Sequence, residues 1–450
     1  MLNNNFFDLD FFAKNVKDED SAFNLYKGLY LTTLEQTLNS KNFDSFLKLE
    51  AFGYSNLVKK FESKSHYERC FKIFDQVLDG FFQKNFFKKR IIKKKKNKVA
   101  FFIHNLSSMM AHVDLFCNFI KSLNKENFIK YKIDIFSIGK QSVSQKLKNI
   151  LFDRNVNVYC FEDLNTYGAF EKLINFYISG EYRNLIFLSV SNYLSYLSKC
   201  LSGNVSWWVM KFPSNSYSDL KHKYVPFSFK DNINIEENNT YFYKNLADFN
   251  NFKLEKCIFT KKEIKFYSIN REEKIRNDHY LNCIKLILNK YKNSTYSWTG
   301  KVQDDYITNF FKINNLKDRV FYLGWVNVNK TGLKLGDIFL DTPNLSGLIS
   351  AQTFASGIPT VFFVNSNFYL NYYKNDLKKN NFNNLIYEEI IDDWYSDLRS
   401  PEERYINIVS KLISNENYYE NYIKLSIDLT KKYLSSANEE ADKLFAKMVC

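Results

Sequence analysis

The fold of this chain is decided by residues Arg319–Phe363, which read RVFYLGWVNVNKTGLKLGDIFLDTPNLSGLISAQTFASGIPTVFF. The stretch contains three apolar runs of strand length, rich in β-branched or aromatic residues: Val320–Leu323, Ile338–Leu340 and Thr360–Val364. Between the second and third runs lies a piece of helix length. Asn344 or Ser346 can serve as its N-cap, and Gly357 with Pro359 as its stop. Strand, helix and strand in this order predict a βαβ unit and therefore a parallel sheet.

The turn between the second run and the helix is the first candidate site. Its residues, Asp341–Gly347, bring backbone N–H groups and the positive end of the helix dipole to one place. Such an arrangement suits a phosphate group. The sequence therefore predicts an anion site here, without identifying a reaction.

Length and composition indicate a globular protein of two or three domains. The chain has 450 residues, 45% hydrophobic and 25% charged, and a formal net charge of +14. Much of that charge is local, because eight of the eleven residues 88–98 are basic. We interpret this run as a solvated linker or as a peripheral contact with the inner membrane. Nucleic acid is not expected as a partner, because no DNA- or RNA-binding motif accompanies the run.

Cysteine usage and the start of the sequence predict a cytoplasmic protein, which can associate with a membrane through the basic run. The seven cysteines are scattered without a C-x-x-C pair, and this favours thiols over disulfides or a zinc site. The first residues lack the basic segment and cleavage site of a signal peptide. No uncharged apolar run reaches the roughly 18 to 20 residues that a membrane span requires.

Two α/β domains are expected after a helical region. Residues 1–95 contain no proline and have apolar residues at helical spacing, which predicts a helical N-terminal region serving as a cap, a dimerisation element or an acceptor-docking element. Residues 96–252 predict a Rossmann-like domain, which would bind the acceptor. Its expected strands are Val99–Ile103, Tyr131–Phe136, Val156–Tyr159, Asn184–Leu188 and Ser206–Val209. The polar segment Pro213–Asn251 is interpreted as loop and connection.

A second Rossmann-like domain is expected at residues 253–430. Its elements before the opening stretch are predicted as a strand, a polar turn, a helix and a strand, at Ile264–Ser268, Asn270–Lys274, Ile275–Tyr291 and Thr295–Thr299. The tail, about 401–450, is expected to be helical, with a separate C-terminal helix at 431–450, where Ser436 and Glu439 resemble a capping box. Two such domains predict a ligand cleft at the carboxyl ends of their strands.

Several familiar signatures are absent from the sequence. It has no G-x-G-x-x-G fingerprint, no P-loop and no G-x-S-x-G elbow. Their absence counts against an NAD(P)- or FAD-dependent enzyme, a Walker-type ATPase and an α/β hydrolase. The acidic pairs Asp8 with Asp10 and Asp304 with Asp305 are of a kind that arises often by chance. No metal site is predicted.

Two blocks of the C-terminal half resemble the nucleotide-sugar-binding domain of GT-B glycosyltransferases. The likeness is greatest to the O-GlcNAc-transferase clan, which includes bacterial protein N-glucosyltransferases. The first block is FYSINREEKI at Phe266–Ile275. The second runs from GDIFLDTP at Gly336–Pro343 through Ser346 and Gly347 to ASGIP at Ala355–Pro359. The N-terminal α/β domain resembles the family in pattern only.

The resemblance implies a GT-B fold and a site for the diphosphate of a sugar nucleotide. Lys274 matches the clan's phosphate-contacting lysine, and we expect it to stabilise the leaving group during catalysis. The resemblance implies further donor contacts in three places. In the first block they are Ser268, Asn270 and Arg271, and in the second block Asp341, Thr342, Ser346, Gly347 and Ser350. Where the family's backbone holds the nucleotide base, they are Gly324, Trp325 and Val326. A place in the core is the alternative for Trp325.

The sequence also departs from the clan. Leu348–Ser350 stands where the clan has His-Thr-Thr, and Thr353 stands where it has a ribose-binding aspartate. These differences leave the identity of the donor open. Gln352 replaces the second glutamate of a pair that is usual in retaining enzymes, and this favours an inverting mechanism.

An inverting mechanism needs a base that deprotonates the acceptor. His104 is expected at the end of the first strand of the N-terminal α/β domain, and His112 in the following helix. Either histidine fits as the base or as a group that orients the acceptor. A structural role is the alternative for each.

Together these features predict a bacterial glycosyltransferase that moves glucose or N-acetylglucosamine from a UDP-sugar to a protein side chain, with inversion and without a metal or other cofactor. The alternatives are transfer to a lipid-linked or surface glycan, a sugar-nucleotide epimerase of the same fold, and a non-catalytic partner subunit. The replacement at Leu348–Ser350 favours the last of these. Expected partners are the donor, the acceptor, the inner membrane at the basic run, and either copies of this chain or another subunit.

Overall fold

The structure is a computed structural model, and it describes most of the chain after residue 96. The described ranges are 97–107, 111–143, 145–189, 193–201, 203–209, 219–226, 239–243, 254–255, 257, 263–270, 272–300, 305–326, 328, 332–343, 348–363, 393 and 399–450, with single helical residues at 21, 24, 28, 72, 75, 76 and 79. The rest of the helical region expected at 1–95 lies outside the described residues. The chain divides into two compact units, which are unit 1, Met1–Leu246 with Asn438–Cys450, and unit 2, Ala247–Ala437.

Unit 1 is built on a parallel sheet of seven strands in the order β3-β2-β1-β4-β5-β6-β7. The strands are β1 (Lys98–Phe102), β2 (Lys132–Ile138), β3 (Asn157–Phe161), β4 (Asn184–Ser189), β5 (Val205–Val209), β6 (Lys223–Pro226) and β7 (Thr240–Tyr243). The helices between them are α1 (Ala111–Ser122), α2 (Lys125–Lys130), α3 (Gln145–Asp153), α4 (Thr166–Ser179) and α5 (Leu194–Cys200). The strand order reverses between β1 and β4, which is the topological switch point of the sheet.

The strands of this sheet have nearly continuous apolar sequences, which explains why they are buried on both faces. β1 is buried from Val99 onward, and all five residues of β5 are buried. Strands covered on both faces carry such runs in place of an alternating pattern. Aromatic rings complete the packing, since Phe101 meets Phe116 of α1 at 5.1 Å and Phe102 stacks on Phe187 of β4 at 5.0 Å between ring centroids. The expected Rossmann-like architecture is confirmed.

The segment Pro213–Asn251, interpreted from the sequence as loop, contains two strands, so that interpretation is wrong in part. β6 pairs with β5, and β7 pairs with β6 at the edge of the sheet. Each has only four residues, KYVP and TYFY. That length is too short for a periodic signal, and pairing with a buried neighbour decides the conformation instead.

Unit 2 contains a parallel sheet of five strands in the order β10-β9-β8-β11-β12. The strands are β8 (Ile264–Ile269), β9 (Ser294–Thr299), β10 (Val320–Tyr322), β11 (Ile338–Leu340) and β12 (Thr360–Val361). The helices are α6 (Glu272–Ile275), α7 (Asp278–Lys290), α8 (Tyr306–Ile313), α9 (Leu348–Ala355), α10 (Pro401–Ser414) and α11 (Glu416–Val449). The switch point lies between β8 and β11. The predicted βαβ unit is confirmed as β11, α9 and β12.

The predicted stop of the βαβ helix is also confirmed. α9 ends at Ala355, and Gly357 adopts a φ of +76°, where glycine has no steric penalty. The backbone N–H of Ile358 donates to the carbonyl of Thr353 at 3.2 Å, and that of Gly357 to the carbonyl of Phe354 at 3.0 Å. This pair of bonds is a Schellman motif, which satisfies carbonyls that the helix end leaves open.

The C-terminal helix begins earlier than the predicted 431–450, because α11 starts at Glu416 and continues to Val449. Its first half contributes Tyr422 and Leu425 to the core of unit 2. Its last turns contribute Leu444 and Phe445 to the core of unit 1. Among the helices that the structure describes, none is both long enough and apolar enough to cross a membrane.

The capping box predicted at Ser436 and Glu439 is wrong, because both residues lie inside α11. The Ser436 hydroxyl donates to the carbonyl of Lys432 at 3.3 Å. A capping box does open α10, where the N–H of Glu403 donates to the Ser400 hydroxyl at 3.1 Å and the N–H of Ser400 to the Glu403 carboxylate at 2.9 Å. The Ser-x-x-Glu pattern indicates a cap only where the chain enters a helix.

Ser400→Ala should lower the free energy of unfolding by about 1 kcal/mol, because it leaves an N–H of the first turn of α10 without its acceptor. Ser436→Ala is the matched control. Alanine is the better helix former, so that variant should be as stable as the wild type or slightly more stable. Urea unfolding measures both effects, and hydrogen exchange at residues 400–406 locates the first. Equal losses in the two variants would contradict the assigned cap.

Candidate functional site

The carboxyl edge of the unit 2 sheet brings several predicted donor residues together. Asn270 follows β8, and Asp341 with Thr342 follows β11, the neighbouring strand at the switch point. The Asn270 amide Nδ2 donates to the Thr342 hydroxyl at 2.9 Å. Because parallel strands end at the same edge, residues distant in sequence meet there.

Asp341 joins this edge to α9. Its side chain is fully buried, and its Oδ1 accepts from the N–H of Thr342 at 2.8 Å and from the hydroxyl of Ser350 at 2.8 Å. Its carbonyl accepts from the Tyr405 hydroxyl at 3.0 Å. A buried carboxylate needs such donors, so this contact fixes the strand end to the first turn of the helix. Of the residues predicted in the same turn, Ser346 and Gly347 lie outside the described ones.

Lys274 lies in α6, the four-residue helix that follows β8, and its side chain is half-buried. Ile275, next to it, is completely buried and anchors the helix in the core of unit 2. The ammonium group of Lys274 therefore lies on a short helix that is anchored in the core through Ile275. Arg271, the other predicted cation of this turn, lies outside the described residues.

The structure brings the Ser268 hydroxyl into the core, away from the predicted donor contacts. It donates to the carbonyl of Leu340 at 2.6 Å, and it lies 2.7 Å from the Tyr280 hydroxyl and 3.0 Å from that of Tyr296. All four residues are fully buried. This side chain links β8, β9, α7 and β11 inside unit 2.

The predicted base-binding segment follows β10, at the same edge of the sheet. Gly324 has a φ of +76°, and its carbonyl accepts from the N–H of Gly300 at 3.1 Å. The Tyr322 hydroxyl donates to the carbonyl of Gly300 at 2.6 Å, so the ends of β9 and β10 are joined by two bonds. Trp325 is 64% exposed, so its alternative as a core residue is wrong. Val326 is half-buried.

Thr353 is buried in α9, at the position where the resembling clan has its ribose-binding aspartate. Its hydroxyl contacts the carbonyl of Ser350 at 2.9 Å and that of Ile349 at 3.1 Å, and it accepts from the Thr360 hydroxyl at 3.2 Å. The group is thus engaged with its own helix and with β12.

The two predicted histidines lie close together at the switch point of unit 1. His104 follows β1, and His112 is in the first turn of α1. The Nε2 atom of His112 lies 2.9 Å from the carbonyl of Asn105, and the His104 ring meets the Tyr193 ring edge-on at 5.6 Å. Sequence reasoning did not find Tyr193. Its place after β4, the strand beside β1, is the signal that could have found it.

Burial lowers the pKa of both imidazoles below the ordinary 6.5. At His104 the nearby His112 lowers the pKa further, whereas at His112 the bond to Asn105 acts in the opposite direction. Both rings are therefore neutral at pH 7. In His112 the Nε2 atom carries the proton, since a carbonyl can only accept, and Nδ1 keeps a basic lone pair. A neutral imidazole of this kind can accept a proton.

In the described ranges, no group of three or more His, Cys, Asp or Glu residues has the arrangement of a metal site. The six described cysteines, at 117, 160, 200, 257, 283 and 450, form no disulfide with one another. The described residues at these two edges offer amides, hydroxyls, imidazoles, the Asp341 carboxyl group and the Lys274 ammonium group.

Comparison with known proteins reveals similarity in fold alone, since neither a protein-family model nor a curated protein matches the sequence. A mutant of the Thermobaculum terrenum O-GlcNAc transferase aligns with a TM-score of 0.57 and 9% identity, over 96% of this chain and 88% of that chain. A mutant of S. aureus TarM, in complex with Fondaparinux, alpha-GlcNAc-glycerol and UDP, aligns with a TM-score of 0.51 and 10% identity, over 78% of this chain and 99% of that chain.

The lipopolysaccharide outer core galactosyltransferase WaaB aligns with a TM-score of 0.51 and 12% identity, again over 78% of this chain and 99% of that chain. These alignments agree with the two parallel sheets described above and with the switch point in each. The chain therefore adopts the GT-B fold, with two Rossmann-like α/β units.

Proposed function

We propose that this chain is a glycosyltransferase that moves glucose or N-acetylglucosamine from a UDP-sugar to a protein side chain. The observation that carries the proposal is the bonded group at the β8–β11 switch point, where Asn270, Thr342 and Asp341 hold two strand ends and the start of α9 together. Ligands of open α/β sheets bind at this position. The resemblance of the two sequence blocks to the O-GlcNAc-transferase clan supports the protein acceptor, and the UDP in the TarM complex supports the donor.

The donor's diphosphate gains negative charge as its bond to the sugar breaks, and the edge of unit 2 can stabilise that charge. Lys274 supplies a full positive charge from a helix anchored in the core. The start of α9, at Leu348, supplies the positive end of the helix dipole. Charges and dipoles fixed before the reaction lower the barrier without reorganising. A metal ion is not required for this step, because the ammonium group performs its electrostatic role.

The acceptor is activated in this proposal by His104, with His112 as the orienting group. The nucleophilic oxygen or nitrogen attacks the anomeric carbon from the face opposite the diphosphate. The new glycosidic bond forms as the bond to the diphosphate oxygen breaks, and the electron pair leaves with the diphosphate. The proton of the acceptor passes to the imidazole, which is neutral beforehand because burial lowers its pKa. The product is inverted at the anomeric carbon.

Two alternatives have support of their own. A lipid-linked or surface glycan as acceptor is supported by the likeness in fold to WaaB, a lipopolysaccharide galactosyltransferase. A non-catalytic partner subunit is supported by Thr353, whose hydroxyl is bonded within its own helix at the position of the clan's ribose-binding aspartate. A test of nucleotide binding distinguishes a non-catalytic partner subunit from an enzyme. Identifying the molecule that receives the sugar distinguishes a glycan acceptor from a protein acceptor.

Lys274→Ala should lower the rate of transfer by about 10²-fold or more, because the diphosphate loses its cation in the transition state. It should also weaken UDP binding, measured as a smaller thermal shift. Lys292→Ala is the matched control, since this exposed lysine precedes β9 at the opposite edge of the same sheet, and it should change neither quantity.

Transfer is measured by intact-mass spectrometry of adhesins or flagellins co-expressed with the chain, and of lipid-linked glycans from the same cells. Unchanged transfer by Lys274→Ala would contradict the phosphate assignment. An added hexose on glycan alone would support the glycan acceptor. A thermal shift with none of UDP, GDP and ADP would support the partner subunit.

The pH profile of kcat/KM should have its acid limb below pH 6.5, because both imidazoles have a lowered pKa and stay unprotonated at that pH. The same lowered pKa values make the folding stability depend on pH. Above pH 6.5 the histidines are neutral in both the folded and the unfolded chain. Below it the unfolded chain binds more protons than the folded chain, so the free energy of unfolding falls. His104→Gln should lower transfer by about 10² to 10⁴-fold. His279→Gln, whose side chain is 78% exposed, should leave both profiles unchanged. A limb at or above pH 6.5 would exclude these histidines as the base.

A further inference from the structure

Lys199 is a buried cation that the proposed reaction does not use. It lies in α5, a seven-residue helix whose residues are all buried, and only 1% of its side chain is exposed. A buried ammonium group is costly unless charged or polar groups surround it. The contacts of Lys199 therefore indicate what α5 is fixed to.

Three carboxylates from two other parts of unit 1 surround the Lys199 Nζ atom. Asp75 lies at 3.2 Å, Asp79 at 2.7 Å and Asp219 at 3.1 Å. Asp75 and Asp79 are both described as helical residues, and they lie four positions apart in the sequence. Asp219 precedes β6. The ammonium group therefore ties α5 both to a helix of the N-terminal region and to the start of an outer strand.

The charges of this cluster do not balance, since one ammonium group faces three carboxyl groups. The pKa of Asp75 is raised to about 6, chiefly by burial; Lys199 acts to lower it, and the charges of Asp79 and Asp219 act in the same direction as burial. Burial alone would lower the pKa of Lys199, but the hydrogen bonds and charges of the carboxylates outweigh burial and raise it. Lys199 therefore stays charged, and without it the carboxylates would repel one another.

The other end of α5 meets His104. The residue before the helix, Tyr193, has the left-handed φ of 69°, which is uncommon for an aromatic residue and persists only where the surroundings enforce it. Its carbonyl accepts from the N–H of Leu197 in α5 at 3.1 Å. Its ring packs on Phe170 at 5.1 Å and on His104 at 5.6 Å.

We propose that Lys199 is a positioning residue, which fixes α5 in place and so holds Tyr193 in its left-handed conformation against the ring of His104. The helix carrying Asp75 and Asp79 then serves as the fixed support to which α5 is attached. This inference rests on the proposed function only in the role given to His104.

The test follows the His104 imidazole by NMR titration of the whole chain, with neither donor nor acceptor present. Lys199→Met should loosen Tyr193, admit water to the His104 ring and raise the pKa of His104 toward 6.5. The acid limb of transfer should move by the same amount. Asp75→Asn keeps the ammonium group with two carboxylates, and it should leave the titration unchanged. Lys172→Met, which breaks an ion pair with Asp163 at a lysine that is 56% exposed, is the surface control.

An unchanged His104 titration in folded Lys199→Met would overturn the proposal. If that variant does not fold, Tyr193→Gly tests the same contact, because glycine accepts the left-handed conformation and removes only the ring. Its His104 pKa should also rise, and an unchanged value would again overturn the proposal. A shifted titration in a protein that transfers no sugar would retain the positioning role and reject the proposed function, so the two failures can be told apart.

Discussion

The two hydrogen bonds accepted by the Asp341 carboxylate join the end of β11 to the start of α9 at the carboxyl edge of the unit 2 sheet. The side chain is fully buried, and a carboxylate without donors in such a place would cost several kcal/mol. The N–H of Thr342 and the hydroxyl of Ser350 are those donors, and Tyr405 bonds to the carbonyl of the same residue. The end of β11 and the first turn of α9 are thereby bonded to each other. The proposed anion site depends on this bonded arrangement of the strand end and the start of α9.

The two units have the same arrangement of strands at the switch point, but the polar groups there differ in charge. In each sheet the strand order reverses beside the first strand, and the polar groups follow the strands at that point. The edge of unit 1 carries two imidazoles that burial keeps uncharged. The edge of unit 2 carries hydroxyls, an amide and a half-buried ammonium group. In the proposed reaction, burial that keeps the base neutral would also penalise a bound phosphate, and the two kinds of group lie on separate sheets.

The sequence predicted the parallel sheets and the positions of Asn270, Asp341 and His104, because apolar runs closed by polar turns mark the carboxyl ends of buried strands. It did not reveal which way a strand residue points. With both faces of a parallel sheet covered, alternation is lost, and Ser268 could be interpreted as a ligand contact although its hydroxyl lies in the core. The left-handed backbone conformation of Tyr193 has no signature in the sequence, because tertiary packing imposes it. The four-residue strands β6 and β7 depend likewise on their neighbours.

The continuous helix α11 has a consequence for how the chain folds during synthesis. Leu444, Phe445 and Met448 belong to the core of unit 1, yet they are translated after the whole of unit 2. Burying each of these side chains is worth about 1.5–3 kcal/mol, a large part of the net stability of a domain. Unit 1 therefore emerges first from the ribosome and reaches its full stability last. Its early, incomplete form is the species that a chaperone would have to protect.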